Sequence, residues 1–343
     1  MQKSTLSASF HPEKRTKAMN LSTTYLGLTL KNPLIAGSCG LTKTVDQIKA
    51  CAQAGAGAVV MKSLFEEQIR QAEADLEQDI GMHPEVMGYL QADLDMRYGS
   101  ENYTDTIEQV KNEVDIPVIA SINCYTSKWW LDYAQKIEQA GADALELNVY
   151  IMPSSFSKTA QEIEESYVDI VKTVKSQISI PVALKLSPSF TAFGNFATRL
   201  EETGVDGLVL FNRFVQPDIN LSDLSIKVKP SFNDPLGFGR SLRWIGMLSG
   251  LLHISLAASG GVRSETEVIK YVLGGASAVQ FASLLYAKGL EKIQQILEGL
   301  EKWMETKHFS SLTDFQGTLN QRNSPQSESY IRAQYIESFT GVE

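Results

Sequence analysis

The chain has 343 residues, 43% of them hydrophobic and 21% charged, a balance that excludes disorder over most of its length. Its 31 basic and 40 acidic side chains leave a net charge of -9, so there is no basic field to hold a nucleic-acid backbone. No apolar run could cross a bilayer, and the three cysteines, Cys39, Cys51 and Cys124, lack the paired spacing of a metal site. These features predict a cytoplasmic protein with no structural metal, no membrane and no nucleic-acid partner.

Residues 1–18 are polar and are expected to form a disordered extension, with Met19 an alternative start. Residues 24–30 alternate like a strand before Lys31-Asn32-Pro33, which suggests a hairpin under a first core strand at Leu34 to Ala36. Thr44 opens a helix with Val45, Ile48 and Ala52 on one face, and a strand follows at Ala58 to Met61.

Beyond this point a helix-to-strand junction recurs. AGAGAVV at 54, AGADALEL at 140, TGVDGLVL at 203 and GGASAVQF at 274 each set a helix-ending glycine just before an apolar strand. Ile-Pro-Val starts two more strands at 116 and 180, where proline costs no ladder bond. With LIAGS and HISLAAS the strand count is eight. Helical periodicity fills the gaps at roughly 105–114, 129–140, 159–176, 192–203, 264–273 and 289–306.

This pattern predicts a (β/α)8 TIM barrel over residues 19–323, followed by a helical tail, 324–343, packed on it. An open doubly wound sheet is disfavoured, because no G-x-G-x-x-G follows the first strand. Two long connections, 63–104 and 213–252, carry His83, Met87, Arg97, Tyr98, Arg240 and Trp244, and suit either a substrate lid or a subunit contact.

A barrel enzyme places its chemistry at the C-terminal strand ends. Those positions are Ser38 and Cys39, Lys62 and Ser63, Asn123, Asn148, Lys185, Asn212, Gly260-Gly261 and Ser283. The two lysines end apolar strands, where an ammonium needs an anion, and a bound anionic ligand would supply it. Gly260 and Gly261 allow close backbone approach, and Ser283 adds a hydroxyl and an N–H, which together suit a phosphate.

The three asparagines offer donors and acceptors to a flat polar heterocycle, so FMN fits better than pyridoxal phosphate or a sugar phosphate. A lysine about 4 Å from a reduced flavin's anionic edge would stabilise it by up to about 4 kcal/mol at an effective dielectric of about 20, and Lys185 is the candidate. The same lysine could instead form a Schiff base in an aldolase.

The ordered set KNPLIAGS, VVMKS, ELN, VALKLSP, LFN, ASGGVRS and ASLLYAKG resembles the dihydroorotate dehydrogenase family of FMN-containing barrels, from about Leu21 to Asn323. The resemblance implies that Ala36, Gly37 and Ser38 line the flavin and that Lys62 and Ser63 contact its ring or ribityl chain. By the same resemblance Lys185 sits at N1, Asn148 and Asn212 lie between flavin and substrate, and Asn123 contacts either. Gly260, Gly261, Ala282 and Ser283 would hold the phosphate.

The resemblance further implies a small-molecule substrate oxidised at a CH–CH bond, such as dihydroorotate, and a homodimer. Any iron–sulfur cluster would belong to a partner subunit, and the electron acceptor is not readable. The family's Cys or Ser base falls on Ile151, and its next asparagine on Pro153. Either Tyr150, Ser154 or Ser155 takes the proton, or the substrate differs, or the protein transfers electrons with little chemistry of its own.

Overall fold

Short runs of Val, Ile, Leu and Ala bounded by glycine and proline are what a strand buried on both faces requires, and here they close into a barrel. The computed structural model describes residues 19–66, 100–123, 127–152, 156–212, 217–228, 235–331 and 336. The expected extension over 1–18, together with His83, Met87, Arg97, Tyr98, Cys124, Ser154 and Ser155, lies outside the described residues.

The strands are β1 (Thr23–Tyr25), β2 (Leu28–Leu30), β3 (Leu34–Ala36), β4 (Ala58–Val60), β5 (Leu64–Phe65), β6 (Val118–Asn123), β7 (Ala144–Asn148), β8 (Val182–Leu186), β9 (Gly207–Leu210), β10 (Pro217–Asn220), β11 (Ser225–Val228), β12 (Ser255–Ser259) and β13 (Ala278–Phe281). The barrel runs β4-β3-β13-β12-β9-β8-β7-β6 and closes by pairing β4 with β6, every pair parallel. The short β5 continues the second barrel strand and also pairs with β6. The chain is therefore an eight-stranded (β/α)8 barrel.

The outer layer contains α1 (Val45–Gln53), α2 (Ser100–Glu113), α3 (Ser127–Gln139), α4 (Ala160–Lys175), α5 (Phe193–Glu201), α6 (Pro235–Leu248), α7 (Glu265–Gly274), the short α8 (Ser283–Lys288) and α9 (Glu291–Lys307). Thr44, Thr159 and Ser264 open three of these helices with reciprocal capping boxes to Gln47, Glu162 and Glu267. The junction glycines Gly55, Gly141, Gly204 and Gly275 all have φ between 81° and 109°, a left-handed exit that a side chain would strain.

Two junction aspartates do further work. Asp143 Oδ2 accepts the Val118 N–H at 2.7 Å and the Lys111 ammonium at 2.6 Å. Asp206 Oδ2 accepts the Val182 N–H and the Lys175 ammonium, both at 2.7 Å. Each Ile-Pro-Val strand is thus pinned by the aspartate that precedes the next strand.

Two expectations change. The connection 213–252 is no single lid, because it contains the antiparallel pair β10–β11 and the barrel helix α6. Trp244 lies on α6 and meets the Phe193 ring edge-on at 4.9 Å, so it is a packing residue of the outer layer. The helix expected at roughly 289–306 is present as α9, and Gly289 (φ 81°) separates it from the short α8.

Alternation along the strands separates two cores. One parity packs on the helices, with Leu34, Val59, Leu145, Leu184, Leu208 and Val279. The other faces the barrel axis, and its lower layer is small: Ala58, Ala144, Ala183, Ala257 and Ala278. Those alanines leave room for Tyr25, Leu26 and Leu30 of the β1–β2 hairpin, which plug the barrel from below. Among the described residues no helix is long and apolar enough to cross a membrane.

Candidate active site

Continuing the inward parity toward the C-terminal rim gives Gly37 after Ile35, Lys62 after Val60, Ser121 and Asn123 after Ile119, Glu146 and Asn148 after Ala144, Lys185 after Ala183, and Gln280 and Ala282 after Ala278. The barrel thus raises most of the sequence-derived candidates to one end.

Several of them are joined by hydrogen bonds. The Ser63 N–H donates to Ser38 Oγ at 2.8 Å, and the two hydroxyls lie 3.0 Å apart. Ser63 Oγ sits 2.8 Å from Ser121 Oγ and accepts from Asn148 Nδ2 at 3.5 Å. Asn212 Nδ2 in turn donates to Asn148 Oδ1 at 2.7 Å. Ser38, Ser63, Asn148 and Asn212 form one polar chain across the rim, with Ser121 supporting it from below.

Ser121 is itself fixed by Tyr103 of α2. The Tyr103 hydroxyl donates to Ser121 O at 3.1 Å and accepts the Ser121 N–H at 2.8 Å. Burial pushes the Tyr103 phenol well above its ordinary range, so it remains a donor at neutral pH.

Lys185 is buried and donates from Nζ to Gln280 Oε1 at 3.2 Å. On the sequence alone this ammonium calls for a bound anion to offset it. The structure corrects that, since Glu146 Oε1 lies 3.6 Å from Lys185 Nζ and Glu146 is fully buried. Lys62 differs: it is half-buried, and among the described residues its ammonium has no hydrogen bond or ion pair, so a bound anion could meet it there.

At the opposite side of the rim, Gly260 and Gly261 turn with φ of 94° and 71°. Gly260 has open space where a side chain would project, whereas a Cβ on Gly261 would meet Phe238 Cβ at 2.5 Å. The turn is held by Tyr271 Oη, which donates to Gly260 O at 2.8 Å, and by Ser241 Oγ, which donates to Ser259 O at 3.1 Å. Ala282 precedes α8 and Ser283 is its first residue. The Gly37 N–H donates to Phe281 O at 3.1 Å and the Gly40 N–H to Tyr286 Oη at 2.5 Å, tying the strand-one loop to this side.

Asn123 ends β6 opposite Phe65 on the same rim, half-buried. Ala36 is fully buried as the last residue of β3, in the layer that faces the helices, so only its backbone could line the site. Tyr150 follows β7 and is 37% exposed, and partial burial raises its phenol pKa. The neighbouring Ile151 N–H donates to the buried Tyr167 hydroxyl at 3.2 Å, which fixes the backbone at the position where the resemblance expects a base.

Sequence reasoning missed Ser121, Glu146 and Gln280. Their signal was present as single polar residues at the inward parity of otherwise apolar strands, in ASIN, LEL and VQF.

The rim fits a phosphorylated flat cofactor. It offers an open positive-φ backbone turn, a half-buried ammonium unpaired among the described residues, and a continuous row of neutral donors and acceptors. Comparison with known proteins agrees with that fit. The family model described as dihydroorotate dehydrogenase matches residues 20–304. The chain is 28% identical to the dihydroorotate dehydrogenase B (NAD(+)) catalytic subunit of Methanocaldococcus jannaschii over 84% of this chain and 95% of that protein. It is 27% identical to the subunit of the same name from Pyrococcus furiosus, over 87% of this chain and 98% of the relative. A match over most of the barrel, on a rim with this chemistry, shows that the chain belongs to the dihydroorotate dehydrogenase family of FMN-dependent oxidoreductases.

Proposed function

We propose that this protein binds FMN on the barrel rim and oxidises or reduces a CH–CH or C=C bond of a small polar compound, with dihydroorotate the first substrate to test. The observation that carries the reading is the pair of strand-end lysines, Lys62 and Lys185, on the same rim as the Gly260–Gly261 turn. When bound, FMN supplies a ring that exchanges hydride with the substrate carbon.

Around it Gly260, Gly261, Ala282 and Ser283 would hold the phosphate, and Gly37, Ser38, Lys62 and Ser63 the ring or ribityl chain, with the backbone of Ala36 beside them. Lys185 would stabilise negative charge at the N1 edge. Asn148 and Asn212 would orient the substrate over the ring, with Asn123 beside them, and Tyr150 or Ser154 would exchange the proton. The Tyr150 phenol, raised by burial, stays protonated at neutral pH and is better suited to give a proton at its hydroxyl than to take one.

A second reading is favoured by Ile151, which cannot accept a proton: the same flavin site acts on a different substrate or relays electrons. The names of the relatives, with NAD(+) and a catalytic subunit, support a partner subunit that passes electrons to the final acceptor. Four exposed aliphatic side chains on and between β10 and β11, Ile219, Leu221, Leu224 and Ile226, support contact with another polypeptide, including a second copy.

The test is anaerobic mixing of the yellow protein with dihydroorotate. Bleaching is expected, and a spectrum unchanged after long incubation rules that substrate out. Lys185→Ala should slow flavin reduction by two to three orders of magnitude; an undiminished rate removes the role given to that lysine. Trapping of Lys185 by borohydride with a carbonyl substrate would instead favour the aldolase.

A further inference from the structure

Beneath the rim lies a polar group that the proposed reaction leaves unexplained. Glu146 faces the barrel interior from β7 with no exposed surface. Its Oε2 accepts from Gln280 Nε2 at 2.7 Å, and Gln280 Oε1 accepts from Lys185 Nζ at 3.2 Å. Its Oε1 has no hydrogen-bond partner among the described residues and sits 3.6 Å from the same Nζ. Gln280 belongs to β13, three places from β8 in the barrel order, so the amide reaches across the interior to join a carboxylate and an ammonium.

A buried carboxylate is costly to keep, and this one is incompletely satisfied. The geometry is a balance of two pulls on one ammonium. The carboxylate draws Lys185 down toward the floor, and the amide oxygen holds it short of hydrogen-bonding contact with Glu146 Oε1.

We infer that Glu146 and Gln280 are positioning residues for Lys185, which together set how much of its positive charge a cofactor above it feels. The inference rests on the FMN reading given above. Glu146 opposes the lysine's charge, and Gln280 keeps the ammonium available to the rim.

The two residues therefore act in opposite directions on the reduction potential of bound FMN, which a purely structural role would not produce. In Glu146→Gln the preference of the site for reduced over oxidised FMN should rise at least tenfold, about 30 mV more positive for a two-electron couple. In Gln280→Met the ammonium is free to close on Glu146, and the preference should fall at least threefold. Glu146→Asp keeps the charge and should stay within threefold of the wild type.

Potentials are read by spectral titration against a reference dye, with circular dichroism and thermal melting to show that each variant is folded. A folded Glu146→Gln protein with an unchanged potential overturns the inference. If that variant does not fold, Gln280→Met decides alone, and an unchanged or more positive potential overturns it. Wild-type protein that takes up no FMN overturns the FMN reading and this inference together, whereas yellow protein with insensitive potentials overturns the inference only.

Discussion

Asn212 donates its side-chain N–H to Asn148 Oδ1 at 2.7 Å, joining the ends of two barrel strands that are not neighbours. Asn148 passes the chain on by donating to Ser63 at 3.5 Å. Replacing Asn148 by alanine leaves Asn212 without this acceptor and opens the row, at a cost of about 1–3 kcal/mol, or roughly five- to two-hundredfold in FMN affinity. In a double-mutant cycle Asn148→Ala and Asn212→Ala should be non-additive by about 0.5–3 kcal/mol. Strict additivity in FMN dissociation constants would mean that the two amides act separately.

Gly260 and Gly261 are adjacent, yet an alanine should cost different amounts at each. Gly260 has φ of 94° with nothing within 4 Å of where an added methyl would sit, so Gly260→Ala pays only the left-handed backbone, about 1–2 kcal/mol. At Gly261 the φ is 71° and the methyl would lie 2.5 Å from Phe238 Cβ and 2.8 Å from Phe238 Cα. Gly261→Ala must therefore also push back the start of α6. The expected order of FMN loss, measured by ultrafiltration and fluorescence, is Gly261→Ala well above Gly260→Ala; equal losses would show that packing against Phe238 is irrelevant to the turn.

Local chemistry made the barrel legible. Four of the helix-to-strand junctions carry their own stop at a left-handed glycine, two more strands start at Ile-Pro-Val, and the Asp143 and Asp206 clamps lie inside the GAD and GVD junctions. The rim was legible because strand ends follow from strand positions. The pairing beneath it was not, because Glu146, Lys185 and Gln280 lie on strands distant in sequence, and only closure of the barrel brings a glutamine at 280 to a lysine at 185. Trp244 misled for a related reason: an aromatic in a long connection looks like a lid until α6 forms and turns it onto Phe193.

Tyr25 enters the barrel from below with no exposed surface, and its hydroxyl has no hydrogen-bond partner among the described residues. Burial first, and then the nearby Glu146 charge, hold its phenol far above the ordinary range, so it stays neutral at all working pH values. Tyr25→Phe keeps the ring among the floor alanines and deletes only the unpaired group. The variant should be as stable as the wild type or more stable by about 1–3 kcal/mol, raising Tm by a few degrees. A lower Tm in calorimetry would show that the hydroxyl is satisfied, for instance by an internal water shared with Glu146.

Asp314 closes the loop that joins the two ends of the barrel chain. Asn20 donates its N–H to Ser310 O at 2.9 Å and accepts the Leu312 N–H at 3.1 Å, and Asp314 holds this segment in shape. Its carboxylate accepts from Ser311 Oγ at 2.8 Å, from the Ser310 N–H at 2.6 Å and from the Ser311 N–H at 2.8 Å. These bonds, the Ser311 hydroxyl foremost, lower its pKa from 3.8 to about 2. The folded pKa is depressed, so the stabilisation is fully present above the unfolded value of 3.8 and is lost as the pH falls through about 2. Melting temperatures of wild type and Asp314→Asn, taken across the acid range, should therefore be separated above about pH 4 and converge near pH 2. A gap that stays constant over that range would show that the anionic carboxylate contributes nothing to holding the segment.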